Sequence, residues 1–125
     1  MTLVLDSGAL VALARDERAM WVRFKACLAT SAPARTHAGV LAQVWRGGPR
    51  QARLAHALAS IDIVALDDRL ARATGELLGR TGQSDVVDAA LVLVSRDGDD
   101  IVTGDLGDLE VLAAASGRHV ELLRP

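Results

Sequence analysis

The chain has 125 residues, half of them apolar and about a quarter charged, with a formal net charge of −2. This composition excludes intrinsic disorder, and the length fits one domain over residues 1–125 able to bury about two-thirds of its unfolded surface. No apolar run approaches the ~18–20 residues of a membrane span. The apolar start at residues 1–5 is broken by Asp6 and has no basic segment before it, so no signal peptide is read. The single cysteine, Cys27, reads as a small core residue that fits a reducing compartment, and the expected location is cytoplasmic without membrane attachment.

In chain order, residues 2–5 form an apolar run ending at Asp6-Ser7-Gly8, which predicts a buried strand, a tight turn and a helix carrying Leu10, Val11, Leu13 and Ala14. A second helix starts at Asp16-Glu17 and repeats Met20, Trp21, Phe24, Cys27 and Leu28 at helical spacing up to Pro33. A short strand at 34–36 precedes a third helix over 37–46, which Gly47-Gly48 stops. Pro49 suits the first position of the next helix, to about 59, and a strand follows over 61–65. Asp67 is a predicted N-cap for a helix to Gly79, and Ser84 for a helix whose core face is Val87, Ala90, Leu91 and Val94. Asp97, Asp99 and Asp100 read as a solvated turn before a strand at 101–103; a helix over 106–116 ends at Gly117, and a strand over 119–123 closes the pattern.

Alternating strands and helices, with strands that are apolar throughout, predict a three-layer α/β/α sandwich around a parallel sheet of about five strands. Charge is segregated along the chain. Residues 35–80 hold seven Arg against four acids, whereas residues 85–110 hold eight acids against Arg96 alone. The first stretch suits phosphate and the second suits cations. With only Trp21, Phe24 and Trp45 as aromatics, a nucleic-acid platform of stacked rings is not expected.

Ligands of open parallel sheets sit beyond the carboxyl ends of the strands. Asp6 and Asp105 follow two predicted strands, Asp108 lies three residues further on, and Asp85 and Asp88 fall in the first turn of one helix. All five carboxylates can therefore approach one cleft. Two carboxylates ~4 Å apart repel by roughly 4 kcal/mol at an effective dielectric near 20, which favours a divalent cation, and an all-oxygen set selects Mg²⁺ or Mn²⁺. Asp85 and Asp108 equally suit a helix start, where a negative charge offsets the dipole. His37, His56 and His119 are scattered, stand at no zinc spacing and read as surface or capping residues. A receiver-like domain would want a lysine near its acceptor, and the only one, Lys25, lies on an early amphipathic helix.

Four segments, Leu3-Val-Leu-Asp6-Ser-Gly-Ala-Leu10, Val40-Leu-Ala-Gln-Val-Trp-Arg-Gly-Gly48, Ser84-Asp-Val-Val-Asp-Ala89 and Ile101-Val-Thr-Gly-Asp105 with Asp108, resemble the PIN-domain ribonucleases, specifically VapC-type toxins of VapBC toxin–antitoxin systems. The resemblance spans nearly the whole chain. It implies a PIN-like fold and a metal-dependent endoribonuclease acting on structured RNA such as tRNA or rRNA, with a VapB-type antitoxin as partner and dimerisation common. By that resemblance Asp6, Asp88 and Asp105 are the metal-binding acids, assisted by Asp108 and, as a compensating acid, Asp85. The family's Glu on the third helix falls at Gln43, and its Thr-Ser-Asp reads Thr103-Gly104-Asp105. Arg46, Arg50 and Arg53 are the candidate phosphate contacts, the last two on one helix face. The alternative is a weakened or inactive PIN-like module that binds antitoxin or RNA without cutting, with Gln43 as its mark. The stripe of Trp21, Phe24 and Leu28 is either core packing or a groove for an antitoxin helix.

Overall fold

The computed structural model describes residues 2–125; Met1, which opens the expected apolar start, lies outside them. The elements are β1 (Leu3–Leu5), α1 (Ser7–Ala14), α2 (Arg18–Ala29), β2 (Ala34–His37), α3 (Ala38–Val44), a 3-10 turn (Pro49–Gln51), α4 (Ala52–Leu58), β3 (Ile61–Val64), α5 (Asp68–Thr81), α6 (Val86–Val94), β4 (Asp100–Val102), α7 (Leu106–Ser116) and β5 (Glu121–Leu123). The strands are short, and the central β1 and β4 are held by burial on both faces: Leu3, Val4, Leu5, Ile101 and Val102 are all buried. β2, expected to be apolar, carries Arg35, Thr36 and His37, all buried as well.

The sheet runs β3-β2-β1-β4-β5 with every neighbour parallel. From β1 the chain steps outward through β2 to β3, then returns across the sheet to β4 and β5. Right-handed crossovers put the helices of these two excursions on opposite faces. Accordingly α1 packs against α2, α3 and α4, while α5, α6 and α7 pack on one another. The result is the three-layer α/β/α sandwich expected, in its PIN-like form. Strand order reverses at β1, so the crevice beyond the carboxyl ends of β1 and β4 is the topological switch point.

Several local expectations are corrected. The N-cap of α6 is Asp85, not Ser84, because the Asp85 carboxylate reaches the Asp88 amide at 3.0 Å. β2 extends to His37, which is wholly buried rather than on the surface, although it does cap α3. Pro49 opens a 3-10 turn, and α4 proper begins at Ala52, so Arg50 and Arg53 straddle the junction. α5 runs past Gly79 to end on Gly82 in the left-handed region (φ 70°). Of the predicted solvated turn only Asp97 is exposed: Asp99 is buried and Asp100 belongs to β4. On α2, Met20 and Phe24 are buried and Trp21 packs edge-on against Phe24, 5.7 Å between centroids, with its indole N–H donating to the Leu13 carbonyl at 3.1 Å. Trp21, Cys27 and Leu28 lie half-buried on the core, so the stripe is packing.

Candidate metal centre

The carboxyl end of β1 delivers Asp6 to the N-cap of α1, where its Oδ1 accepts from the Ser7 amide at 2.7 Å. Its Oδ2 accepts from the Thr103 hydroxyl at 2.7 Å, and that hydroxyl oxygen in turn accepts from the Asp105 amide at 2.9 Å. Thr103 is fully buried just beyond β4. One hydroxyl thus ties the two strand ends across the switch point and fixes the backbone of Asp105 relative to Asp6. Asp105 occupies the N-cap position of α7, yet its side chain makes no capping bond. Asp108 follows in the first turn of the same helix.

Asp88 completes the cluster from the first turn of α6. Asp88, Asp105 and Asp108 each place a carboxylate oxygen within 4.8 Å of the other two. Asp6 and Asp85 stand outside that set of three: Asp6 is bonded to Ser7 and Thr103, and Asp85 is spent on capping α6. Asp88 is 6% exposed, and its Oδ2 is buried with no hydrogen-bond partner among the described residues. Burial pushes its carboxyl up to about 7, helped by the charges of Asp6, Asp85 and Asp105 and by a hydrogen bond with Asp105. An unsatisfied buried acceptor costs ~1–3 kcal/mol, more when charged. A hard divalent cation removes both that deficit and the mutual repulsion, and three carboxylates are the donor set it selects. The residues present therefore fit Mg²⁺ or Mn²⁺, with Asp88, Asp105 and Asp108 as the side chains able to hold it.

Sequence reasoning missed the residue that positions this turn. The imidazole Nε2 of His37 donates to the Val87 carbonyl at 2.8 Å, while its Nδ1 accepts from the Gly39 amide at 3.0 Å. His37 thereby latches the start of α3 to the first turn of α6, one residue from Asp88. Burial lowers its pKa, against the opposing pull of the Val87 carbonyl and the Asp6 charge, and the neutral ring is the form that makes both bonds. A Cβ on Gly39 would come within 2.8 Å of the ring, so glycine is required for this approach. The His37-x-Gly39 spacing was the signal available.

None of the remaining candidates makes a hydrogen bond or ion pair to the clustered acids among the described residues. Gln43 is exposed on α3 and makes no hydrogen bond to a carboxylate among the described residues. The Arg46 guanidinium donates to the carbonyls of Ala42 (3.1 Å) and Trp45 (2.7 Å), closing the C-terminus of α3. Arg50 is exposed in the 3-10 turn, and Arg53 approaches Asp16 at 3.6 Å on the surface. They form a basic surface along the α3–α4 connection.

No protein-family model matches the chain, and no curated protein matches it. Among solved structures, it is similar to a chain of VapBC2 from Rickettsia felis, a complex determined bound to a DNA fragment from its promoter, with a TM-score of 0.70 and 15% identity over 98% of both chains. At that identity the likeness is one of fold. No helix is long and apolar enough to cross a membrane.

Proposed function

We propose that the chain is a Mg²⁺- or Mn²⁺-dependent endoribonuclease, the toxin of a toxin–antitoxin pair, cutting folded RNA such as tRNA or rRNA. The observation that carries this reading is the Asp88 Oδ2 atom, buried without a partner among the described residues and surrounded by Asp6, Asp85 and Asp105. A fold alone requires no such arrangement; a cation site does. The fold-level likeness to a VapBC2 chain supports an antitoxin as the protein partner.

In this reading Asp88, Asp105 and Asp108 hold the ion, and Asp6 adds negative potential from a position locked by Ser7 and Thr103. When bound, the cation supplies Lewis-acid stabilisation of the charge that develops on a scissile phosphodiester. His37 keeps the α6 turn, and with it Asp88, in place. Arg50 and Arg53 receive flanking phosphates. Gln43 is a neutral acceptor at the position where the resembling family has a carboxylate, so Gln43→Glu raises cutting.

The test is cleavage of total RNA by purified chain with Mg²⁺, Mn²⁺ or chelator, the new 5′ ends being sequenced, with Asp88→Asn as control. Discrete metal-dependent cuts absent from the control are expected. A folded, monodisperse sample that cuts nothing, alone or as Gln43→Glu, would replace the nuclease with a module that only binds.

A further inference from the structure

From residue 36 through residue 61 the chain has no acid, and it carries Arg46, Arg50, Arg53 and His56. Among these cations stands Trp45, which the core leaves 40% exposed. Among the described residues the other large apolar side chains this open are Val22, Val86 and Val111, on α2, α6 and α7. Trp45 is therefore a single ring set in a basic surface and not part of an apolar helix face.

The loop that carries it is prebuilt. The Gln51 side-chain oxygen accepts from the amides of Arg46 (2.7 Å) and Gly47 (3.0 Å), and its nitrogen donates to the Val44 carbonyl (2.9 Å). These three bonds hold a turn through Gly47 and Gly48, both at positive φ, and the indole Nε1 lies 4.0 Å from where a Cβ on Gly47 would stand. The Arg46 guanidinium fixes the backbone beneath the ring. At its other end α3 is latched to the turn bearing Asp88. The seven residues of α3 span about 10 Å of axis, so the ring stands at the far end of a short helix whose start is bonded to the residue before Asp88.

We propose that the Trp45 indole stacks on one unpaired base of an RNA, with Arg50 and Arg53 on the phosphates beside it. This rests on the ribonuclease reading for the identity of the ligand. A partly exposed indole on a hydrogen-bonded loop presents an open face for stacking, and every base offers it one. Arg50 has no carboxylate partner among the described residues, and the exposed Asp16 is easily exchanged by Arg53 for a phosphate. An unpaired base is required, because a helical stack hides the faces of its bases.

The test uses full-length chain carrying Trp21→Phe, so that Trp45 alone reports, titrated in chelator with a single-stranded oligoadenylate and with a blunt RNA duplex. The single strand is expected to quench Trp45 and the duplex to leave it bright. Read from the anisotropy of a fluorescein-labelled strand, Trp45→Ala is expected to weaken single-strand binding roughly 5- to 100-fold, with Trp45→Phe recovering most of the loss. Equal quenching by duplex, or unchanged affinity in Trp45→Ala, overturns the stacking role. Cutting of the same single strand in Mg²⁺ is scored separately. Cutting with unaltered Trp45→Ala binding removes only the stacking proposal, whereas quenching without any cutting removes only the nuclease.

Discussion

Two aspartates, Asp88 and Asp99, are buried to nearly the same degree, 6% and 4% exposed, at two places in the sheet, and their surroundings are opposite. Asp99 lies just before β4. Its Oδ1 accepts from the Thr2 amide at 2.9 Å, and its Oδ2 accepts from the Arg96 amide at 2.8 Å and from the Arg35 guanidinium at 3.0 Å. Arg35 also donates to the Val94 carbonyl at the end of α6, so this ion pair binds β2, α6 and β4 together. Asp88 keeps one oxygen with no donor among the described residues and has carboxylates for neighbours. Equal burial thus separates into a charge whose needs the described residues meet and one whose needs they do not. Satisfaction, and not burial, is what distinguishes an acid that serves the fold from a candidate ligand.

The largest expected effect comes from the satisfied site. Asp99→Ala leaves Arg35 buried without its counter-charge and should cost about 3–5 kcal/mol of stability, read from urea unfolding. A loss under about 1 kcal/mol would mean that the pair is replaceable and that the contrast with Asp88 does not hold.

Asp88→Asn should move stability the other way in metal-free protein. The folded carboxyl titrates at about 7 against its ordinary 3.8. The native state therefore binds this proton more tightly than the unfolded chain, and the contribution is fully present below 3.8 and lost as pH rises through 7. Asparagine has nothing to lose. The variant should gain on the wild type as pH rises and melt above it well past neutrality, while Mg²⁺ raises the melting temperature of the wild type and not that of the variant. Asp100, also raised by burial and by Glu121, adds to the decline with rising pH in both proteins. His37, lowered by burial, acts at the acid end, where stability present above 6.5 is lost as pH falls. Both cancel from the difference between the two melting curves, which isolates Asp88. A difference that does not change with pH would place an ordinary surface acid at that position.

Asp6 was legible because a β-strand of three apolar residues followed by Asp leaves little choice about where the side chain goes. Asp105 lies three residues beyond β4, at the start of α7, and the apolar period of α6 sets Asp88 on its inward face. What stayed hidden was partnership over long sequence distances. Asp99 sits in Asp97-Gly98-Asp99-Asp100, which has the composition of a turn, and only Arg35, 64 residues earlier, makes it a buried ion pair. His37 looked like a helix-start residue because its second bond is to Val87, 50 residues on. Gln51 hid for the opposite reason: its partners are close in sequence, but nothing in a Gln between two basic residues announces three hydrogen bonds to a loop backbone. Periodicity reports which face is buried, and it is silent on which donor meets which acceptor.

The smallest expected effect on stability carries information about the basic side of the molecule. Arg53 and Asp16 are some 60% exposed and 3.6 Å apart. Such a pair is worth well under about 1 kcal/mol, so Arg53→Ala should leave the unfolding midpoint nearly where it was. If Arg53 meets an RNA phosphate, the same change weakens binding to every sequence alike and lowers the slope of log affinity against log salt by about 1. A measurable loss of stability with an unchanged salt slope would instead assign Arg53 to the fold, as Arg35 is assigned by its buried partner. The two arginines then differ as the two aspartates do: the one whose contacts are met inside the protein reports in unfolding, and the one left open to solvent reports in binding.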